Sequence, residues 1–309
     1  MITSVFGKSR PFNYILITSL FVGFYFLFIA MKTDYLSSGL GWITSLGLLV
    51  FLIASFFIAN FIAKRNQLSR DNSFAFLFYF THFLFFPNIF SKPELILASF
   101  FILLSLRKIF SMQSMIQLKQ KIFDASFWII MASLFHFPAI FLMVLVFIAI
   151  VLHEGSDYRN WLIPIIALIT IGVIVVFLSL LFQPDWIQTL SQNMYLGFNL
   201  VYPEEFIQQF VLGLYGVFAL LFLISLVMTL SKRPLILLSA FKKLIFIFIL
   251  GLGVIVCSLT LLPEVVVYLF FPVALMATAH TEHSKGNVSN ELISVFFVLF
   301  GVLVFFLQL

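Results

Sequence analysis

Charge is scarce in this sequence: 9% of its 309 residues are charged, whereas 63% are hydrophobic. A soluble domain cannot bury that much apolar surface, so lipid must be the solvent of this chain. No polar stretch is long enough to fold separately in water, and we expect one integral membrane domain over residues 1–309. Cysteine is almost absent as well. The single Cys257 excludes a disulfide framework and a thiolate metal site.

The net charge of +5 does not point to nucleic acid as a partner. The basic residues stand in twos and threes beside apolar runs, where the positive-inside rule places them in membrane proteins. The expected partner is therefore the lipid bilayer, and no nucleic acid is expected.

The apolar runs predict an all-α, polytopic bundle of transmembrane helices, because each span needs about 20 apolar residues. Two regions, 73–106 and 125–152, are interrupted by polar residues and proline. We interpret the first as two short helices joined by a turn at Pro87, whereas the second, broken at His136 and Pro138, is either one kinked helix or another hairpin. The clear spans are residues 13–31, 41–63, 161–182, 206–230, 243–261, 264–279 and 291–309.

The distribution of Lys and Arg favours the second hairpin. A turn at residues 136–138 gives about 11 membrane segments and places fifteen of the 17 basic residues on one side, with only Lys32 and Lys92 on the other. A single span there would leave nine on one side and eight on the other, which ignores the orientation bias. We therefore predict two short-helix hairpins in the front half (14–152), a back half over 153–309, a cytoplasmic N-terminus and an external C-terminus.

The two hairpins resemble each other, since each first arm ends in Phe-Pro. Arms of roughly 13 to 16 residues would be only about 20 to 24 Å long, too short to cross a bilayer comfortably. Irregular backbone at membrane depth needs protein or water around it, so the turns are expected to border an outward-facing, partly hydrated cavity. Between the hairpins, residues 111–121 are expected to form a surface helix on the cytoplasmic leaflet.

Three carboxylates at outer turns are candidate catalytic groups: Asp34, Glu94 and Glu264. A carboxylate held at membrane depth is costly and often functional, as a general base, a proton relay or a cation ligand. The alternative is that each is simply solvated at the interface. No cofactor is expected. The sequence does allow these carboxylates to bind a divalent cation.

Lys92 lies outside against the orientation bias, two residues before Glu94. The two side chains are close enough for an ion pair that caps the fourth segment, whereas the functional alternative is that Lys92 binds an anionic phosphate. His82 and His136 lie near the two turns. They are either hydrogen-bonded wall residues or acid–base groups that face the cavity.

The outer loop 183–205 contains Trp186 and Tyr202, whose rings suit an interfacial helix or stacking on a sugar substrate. On the inner side, residues 280–283 read His-Thr-Glu-His. The two histidines share a helical face, but no third ligand lies near them in the sequence, so we expect a solvated loop and no metal site.

Two resemblances add to this reading. The opening segment MITSVFGKSRPFNY and the overall length resemble an uncharacterised family of bacterial inner-membrane proteins, which implies the bacterial inner membrane as the location. Residues 14–152, with a first span ending in an acidic loop and paired short helices with Pro-containing turns, resemble the front half of the glycosyltransferase-C superfamily. That resemblance implies Asp34 as the catalytic carboxylate, Lys92 near a lipid phosphate, and a polyprenyl-phosphate-linked substrate.

Three functions remain open from the sequence. The first is a glycosyltransferase-C-like enzyme with catalytic Asp34, Glu94, His136 and Glu264. The second is a non-catalytic scaffold subunit of a larger envelope complex, with other membrane proteins as partners, and the third is a transporter. Whether the chain is an enzyme is not decided by its sequence. The residues expected to bind substrate are His82, Lys92, Trp186 and Tyr202.

Overall fold

A computed structural model describes residues 5–32, 39–182, 188, 194, 196, 205–258, 263–283 and 288–309. Regular structure in these segments is entirely helical, as predicted. The main α-helices of these segments are α1 Pro11–Lys32, α2 Gly39–Arg65, α3 Phe74–Phe85, α4 Pro93–Ser111, α5 Leu118–Phe135, α6 Met143–Glu154, α7 Tyr158–Phe182, α8 Phe206–Leu230, α9 Leu235–Val256, α10 Val267–His283 and α11 Val288–Gln308.

Among the described residues, nine helical stretches are long and apolar enough to cross a membrane. The two remaining helices are α3, which has only 12 residues, and α5, whose first two turns contain Lys119, Lys121 and Asp124. The prediction of a polytopic transmembrane bundle with about 11 membrane segments is therefore confirmed.

The chain reverses at His136, where the backbone is extended (φ −142°, ψ 99°) and α5 ends. A 3₁₀ turn with Pro138 near its start follows, because proline fits the first turn of a helix but not its interior. Lys119, near the start of α5, lies 3.3 Å from Asp157, which follows α6. The start of α5 and the end of α6 thus lie at the same end of the bundle, which confirms the hairpin.

The two ends of the described chain lie at opposite ends of the bundle. Lys32 Nζ, at the end of α1, donates a hydrogen bond of 2.7 Å to the carbonyl of Gln308, at the end of α11. The start of α1 lies instead beside the start of α3, where Asn13 Nδ2 is 3.4 Å from Ser73 Oγ. We call the end that holds Asn13 the inner end, because the basic residues gather there, and the other the outer end.

Two helices, α3 and α10, form the centre of the bundle. Every residue of α3 is buried, as are all residues of α10 except His283. A helix that is apolar on all sides is stable only when other elements surround it, and α3 reads FAFLFYFTHFLF. Its Phe83 ring makes an edge-to-face contact with Phe270 of α10 at 5.0 Å. The aromatic residues therefore fill the core as well as the lipid-facing surface.

Gly301 of α11 allows a close approach to α3. A Cβ atom at this position would lie 2.7 Å from Thr81 Cγ2 and 3.4 Å from the Thr81 carbonyl oxygen. Small residues at helix contacts let backbones approach closely in membrane bundles. Position 301 therefore sets how closely the last helix packs against the central one.

Three details differ from the sequence-based expectations. The hairpins are asymmetric, since α3 and α6 have 12 residues each but α4 and α5 have 19 and 18. Residues 111–121 do not form one surface helix, because Met115 and Gln117 adopt left-handed backbone angles that break it into a tight turn. Helix α9 begins at Leu235, eight residues before the expected start, because the apolar residues after Pro234 continue the helix.

Candidate functional site

The outer end of α10 carries a buried carboxylate. Glu264 lies in a 3₁₀ turn, Pro263–Val266, that leads directly into α10, and its side chain is 5% exposed. Its Oε2 atom is buried and has no hydrogen-bond partner among the described residues. A buried carboxylate oxygen without a partner costs free energy, so Glu264 is not simply solvated at the interface.

His136 and Tyr268 form a polar pair at the same end. The Tyr268 hydroxyl is 2.9 Å from His136 Nδ1, and the two rings stack with centroids 5.5 Å apart. Tyr268 lies four residues after Glu264, about one helical turn along the chain. The predicted His136 is thus held by a residue on the same helical segment as the predicted Glu264. Tyr268 itself was missed from the sequence, where nothing distinguishes it from other aromatic residues.

Lys92 and Glu94 lie at the turn of the first hairpin. Glu94 is exposed in the first turn of α4, where a negative charge is favoured by the helix dipole. Lys92 is half-buried and closes the preceding 3₁₀ turn through its backbone. The predicted ion pair between them is not among the ion pairs of the described residues. Glu94 therefore caps the helix by position alone, and Lys92 has no acidic partner among the residues that the structure describes.

His82 lies in the aromatic core and is 0% exposed. Its ring lies between 5.2 and 5.5 Å from those of Tyr215, Phe270 and Phe297. Its Nδ1 hydrogen-bonds the Phe78 carbonyl and must carry the proton, because a carbonyl only accepts. This leaves Nε2 as an acceptor, which has no partner among the described residues. Its role in substrate binding stays a prediction.

Three predicted site residues lie outside the described part of the chain: Asp34, Trp186 and Tyr202. The roles proposed for them from the sequence therefore stay predictions.

The inner end contains a second buried carboxylate, Glu282, which the sequence placed in a solvated loop. That prediction is wrong, because α10 continues to His283 and the Glu282 side chain is 3% exposed. Its Oε1 accepts hydrogen bonds from Ser69 Oγ (3.2 Å), the Arg70 backbone N–H (2.7 Å) and Asn72 Nδ2 (2.6 Å). Glu282 therefore fixes the loop between α2 and α3 to the central helix.

Lys243 is also buried, although the sequence placed it at an inner loop. It is 0% exposed within α9, and its Nζ lies 3.3 Å from the Ile109 carbonyl oxygen and 3.3 Å from His153 Nε2. The ends of α4 and α6 thus meet α9 at this ammonium group. Neither Glu282 nor Lys243 could be found from spacing, because their hydrogen-bond partners lie 90 or more residues away in the sequence.

The outer end therefore offers a carboxylate, a histidine with a supporting tyrosine, and a lysine without an ion pair in the described segments, groups that suit proton transfer and phosphate binding. Within the described ranges, no group of three or more His, Cys, Asp or Glu residues is arranged to hold a metal ion. No protein-family model, curated protein or solved structure matches this chain.

Proposed function

We propose that this integral membrane protein is an enzyme that acts on a lipid-linked substrate at its outer end. The observation that carries the proposal is the buried oxygen of Glu264, which has no hydrogen-bond partner in the described part of the chain and lies one turn from the Tyr268–His136 pair. A carboxylate kept in this state lowers stability, and such groups persist mainly where chemistry uses them.

The resemblance of residues 14–152 to the glycosyltransferase-C superfamily supplies the reaction class, which is sugar transfer from a polyprenyl phosphate to an acceptor hydroxyl. In that reaction the acceptor oxygen bonds to the anomeric carbon, and the phosphate leaves with the electrons of the broken bond. Glu264 takes the proton of the acceptor hydroxyl. Lys92 provides positive charge for the leaving phosphate. Asp34, which the resemblance implies as the catalytic carboxylate, takes a supporting role in this proposal.

In this proposal His136 binds the substrate and Tyr268 is the positioning residue. When the Tyr268 hydroxyl donates a hydrogen bond to His136 Nδ1, the Nε2–H of the neutral imidazole is oriented as a donor toward the substrate. Replacing Tyr268 with Phe removes that hydrogen bond and retains the ring stacking. Its effect separates orientation of His136 from simple packing.

The test compares Glu264→Gln with Glu205→Gln in cells that lack the chromosomal gene. Glutamine cannot accept the proton, so Glu264→Gln should lower activity by about 10²- to 10⁴-fold while the protein inserts normally. Glu205 is an exposed carboxylate at the start of α8, and its replacement should leave activity unchanged.

The readout is the set of polyprenyl-phosphate-linked sugars in lipid extracts, measured by mass spectrometry. Deletion cells and Glu264→Gln cells should accumulate the same lipid-linked sugar, whereas cells with Glu205→Gln should match the wild type. Full restoration of the lipid profile by Glu264→Gln would contradict the enzymatic proposal.

A second candidate function, a scaffold subunit of an envelope complex, is favoured by α7. This helix packs mainly against α5 and α6 and exposes most of its apolar surface, including Ile169, which is 59% exposed. Such a face suits a neighbouring membrane protein as well as lipid. If a partner co-purifies in stoichiometric amounts with the wild type, and Gly172→Trp on this exposed face releases it, the scaffold is favoured. Substrate uptake into proteoliposomes would instead favour the transporter.

A further inference from the structure

Three openings that share lining residues lie along the inner half of the bundle. The first, which we name the basic cleft, has a volume of about 450 Å³ and includes Phe61, Arg65, Arg107, Lys108 and Lys121 in its lining. A second opening shares Phe61 and Arg107 with it. The third, which we name the flank groove, has a volume of about 1010 Å³ and shares Phe57 and Asn60 with the second.

The basic cleft has an excess of positive charge. Of its four cations, Lys108 pairs with Asp124 at 2.7 Å. Lys121 donates only to Ser111 O and Ser114 Oγ, which are uncharged. Arg65 and Arg107 have no ion pair within the described ranges, and the Arg107 guanidinium lies 5.0 Å from the centre of the Phe61 ring. Two unpaired guanidinium groups at one opening favour an anion that accepts several hydrogen bonds, such as a phosphate.

The flank groove is apolar, and its length along α1 matches the thickness of one lipid leaflet. It runs between α1 and α2 past exposed side chains such as Ile15 (68%) and Phe57 (50%). Its lining on α1 extends from Pro11 to Val22, which corresponds to roughly 16 Å of helix. The hydrocarbon core is about 30 Å thick, so the groove matches half of it. An acyl chain of the inner leaflet has this length.

Asn60 lines both the second opening and the flank groove. Its Oδ1 atom is buried and has no hydrogen-bond partner in the described part of the chain. Asn60 therefore lies between the cations of the basic cleft and the apolar groove, where the polar glycerol backbone of a phospholipid joins its phosphate to its acyl chains.

We propose that these openings form a site for one anionic glycerophospholipid of the inner leaflet, of the phosphatidylglycerol type. Its phosphate binds Arg65 and Arg107, its glycerol backbone lies beside Asn60, and one acyl chain lies in the flank groove. The site is at the opposite end of the bundle from Glu264. It is therefore independent of the enzymatic proposal, and either can fail without the other.

The charge is tested with purified protein in dodecyl maltoside, to which dioleoyl phosphatidylglycerol or dioleoyl phosphatidylcholine is added, with binding measured by native mass spectrometry. The wild type should bind phosphatidylglycerol selectively. The double variant Arg65→Gln/Arg107→Gln should bind phosphatidylglycerol more weakly by a factor of about ten or more, because charge-assisted hydrogen bonds are lost.

Arg159→Gln/Lys232→Gln is the matched control, since it removes two exposed charges at the same membrane face outside the cleft. It should bind phosphatidylglycerol like the wild type. Equal weakening by the cleft and control variants would show that only the overall surface charge matters and would overturn the site.

The groove is tested without changing charge. Ser19 lines the flank groove, whereas its neighbour Leu20 is exposed and is not part of the lining. Ser19→Trp should reduce binding of phosphatidylglycerol, and Leu20→Trp should not.

Two competitors identify the ligand class. Inorganic phosphate should displace phosphatidylglycerol poorly, because it makes no contact with the groove. Undecaprenyl phosphate should also bind less tightly, because it has no chain that ends within one leaflet. Equal or tighter binding of either competitor would overturn the assignment to an inner-leaflet phospholipid.

Discussion

Removing the Glu282 carboxylate should destabilise the bundle more than any other single change at its inner end. Glu282→Ala leaves three donors, Ser69 Oγ, the Arg70 N–H and Asn72 Nδ2, without their shared acceptor. Breaking a buried, charged hydrogen-bond group of this kind costs about 3–5 kcal/mol. Glu282→Gln retains one acceptor oxygen but loses the charge, and it should cost about 1–3 kcal/mol.

Asp71→Ala provides the matched control, because Asp71 lies in the same loop but its side chain is 91% exposed. Its ion pair with Lys64 at 3.8 Å is solvated, so the cost should be about 0–1 kcal/mol. The free energy of unfolding is measured by titrating sodium dodecyl sulfate into dodecyl maltoside micelles and following tryptophan fluorescence.

Hydrogen exchange supplies a local readout. The Arg70 amide proton should exchange faster in Glu282→Ala than in the wild type, because its 2.7 Å bond to Oε1 is lost. If Glu282→Ala and Asp71→Ala lower the unfolding free energy by the same amount, the reasoning about the buried carboxylate is wrong.

The remaining predictions concern helix packing and pH. Gly301→Ala should lower the unfolding free energy by about 1–3 kcal/mol, because the new methyl group meets the stiff Thr81 side chain at 2.7 Å. Gly253→Ala, with nothing within 4 Å of its Cβ position, should be neutral or stabilise the protein in the same titration. The Arg159 backbone N–H lowers the pKa of Asp157 below its usual value of 3.8. Since a depressed pKa stabilises the folded state only at higher pH, Asp157→Asn should be less stable than the wild type at neutral pH. Unfolding titrations should show that difference shrinking as the pH falls below 4, and a constant difference would contradict the assignment.

The sequence predicted the path of the chain because hydropathy and charge act locally in a membrane. A turn at His136 was the only reading that kept the basic residues on one side, and the chain reverses there. The opposite placement of the chain ends follows from the same choice, as the contact between Lys32 and Gln308 shows. Both predictions used only the sign of a residue and its distance from an apolar run.

The candidate site could be predicted only in part. The outer carboxylate Glu264 and His136 stood out because polar residues beside apolar runs are expensive. Their connection through Tyr268 did not, since a tyrosine within an apolar helix has no distinctive pattern. His82 shows the opposite case: the sequence placed it near a turn, but packing placed it in the aromatic core.

What the sequence determined by itself is the solvent of this protein, the number and direction of its helices and the side on which positive charge gathers. These properties depend on each segment's own transfer free energy and charge. The tertiary structure alone decided which helices are central, and that Glu282 and Lys243 are buried among hydrogen-bond partners. In lipid, apolar residues are equally suited to the core and to the membrane face, so only packing between distant segments distinguishes them.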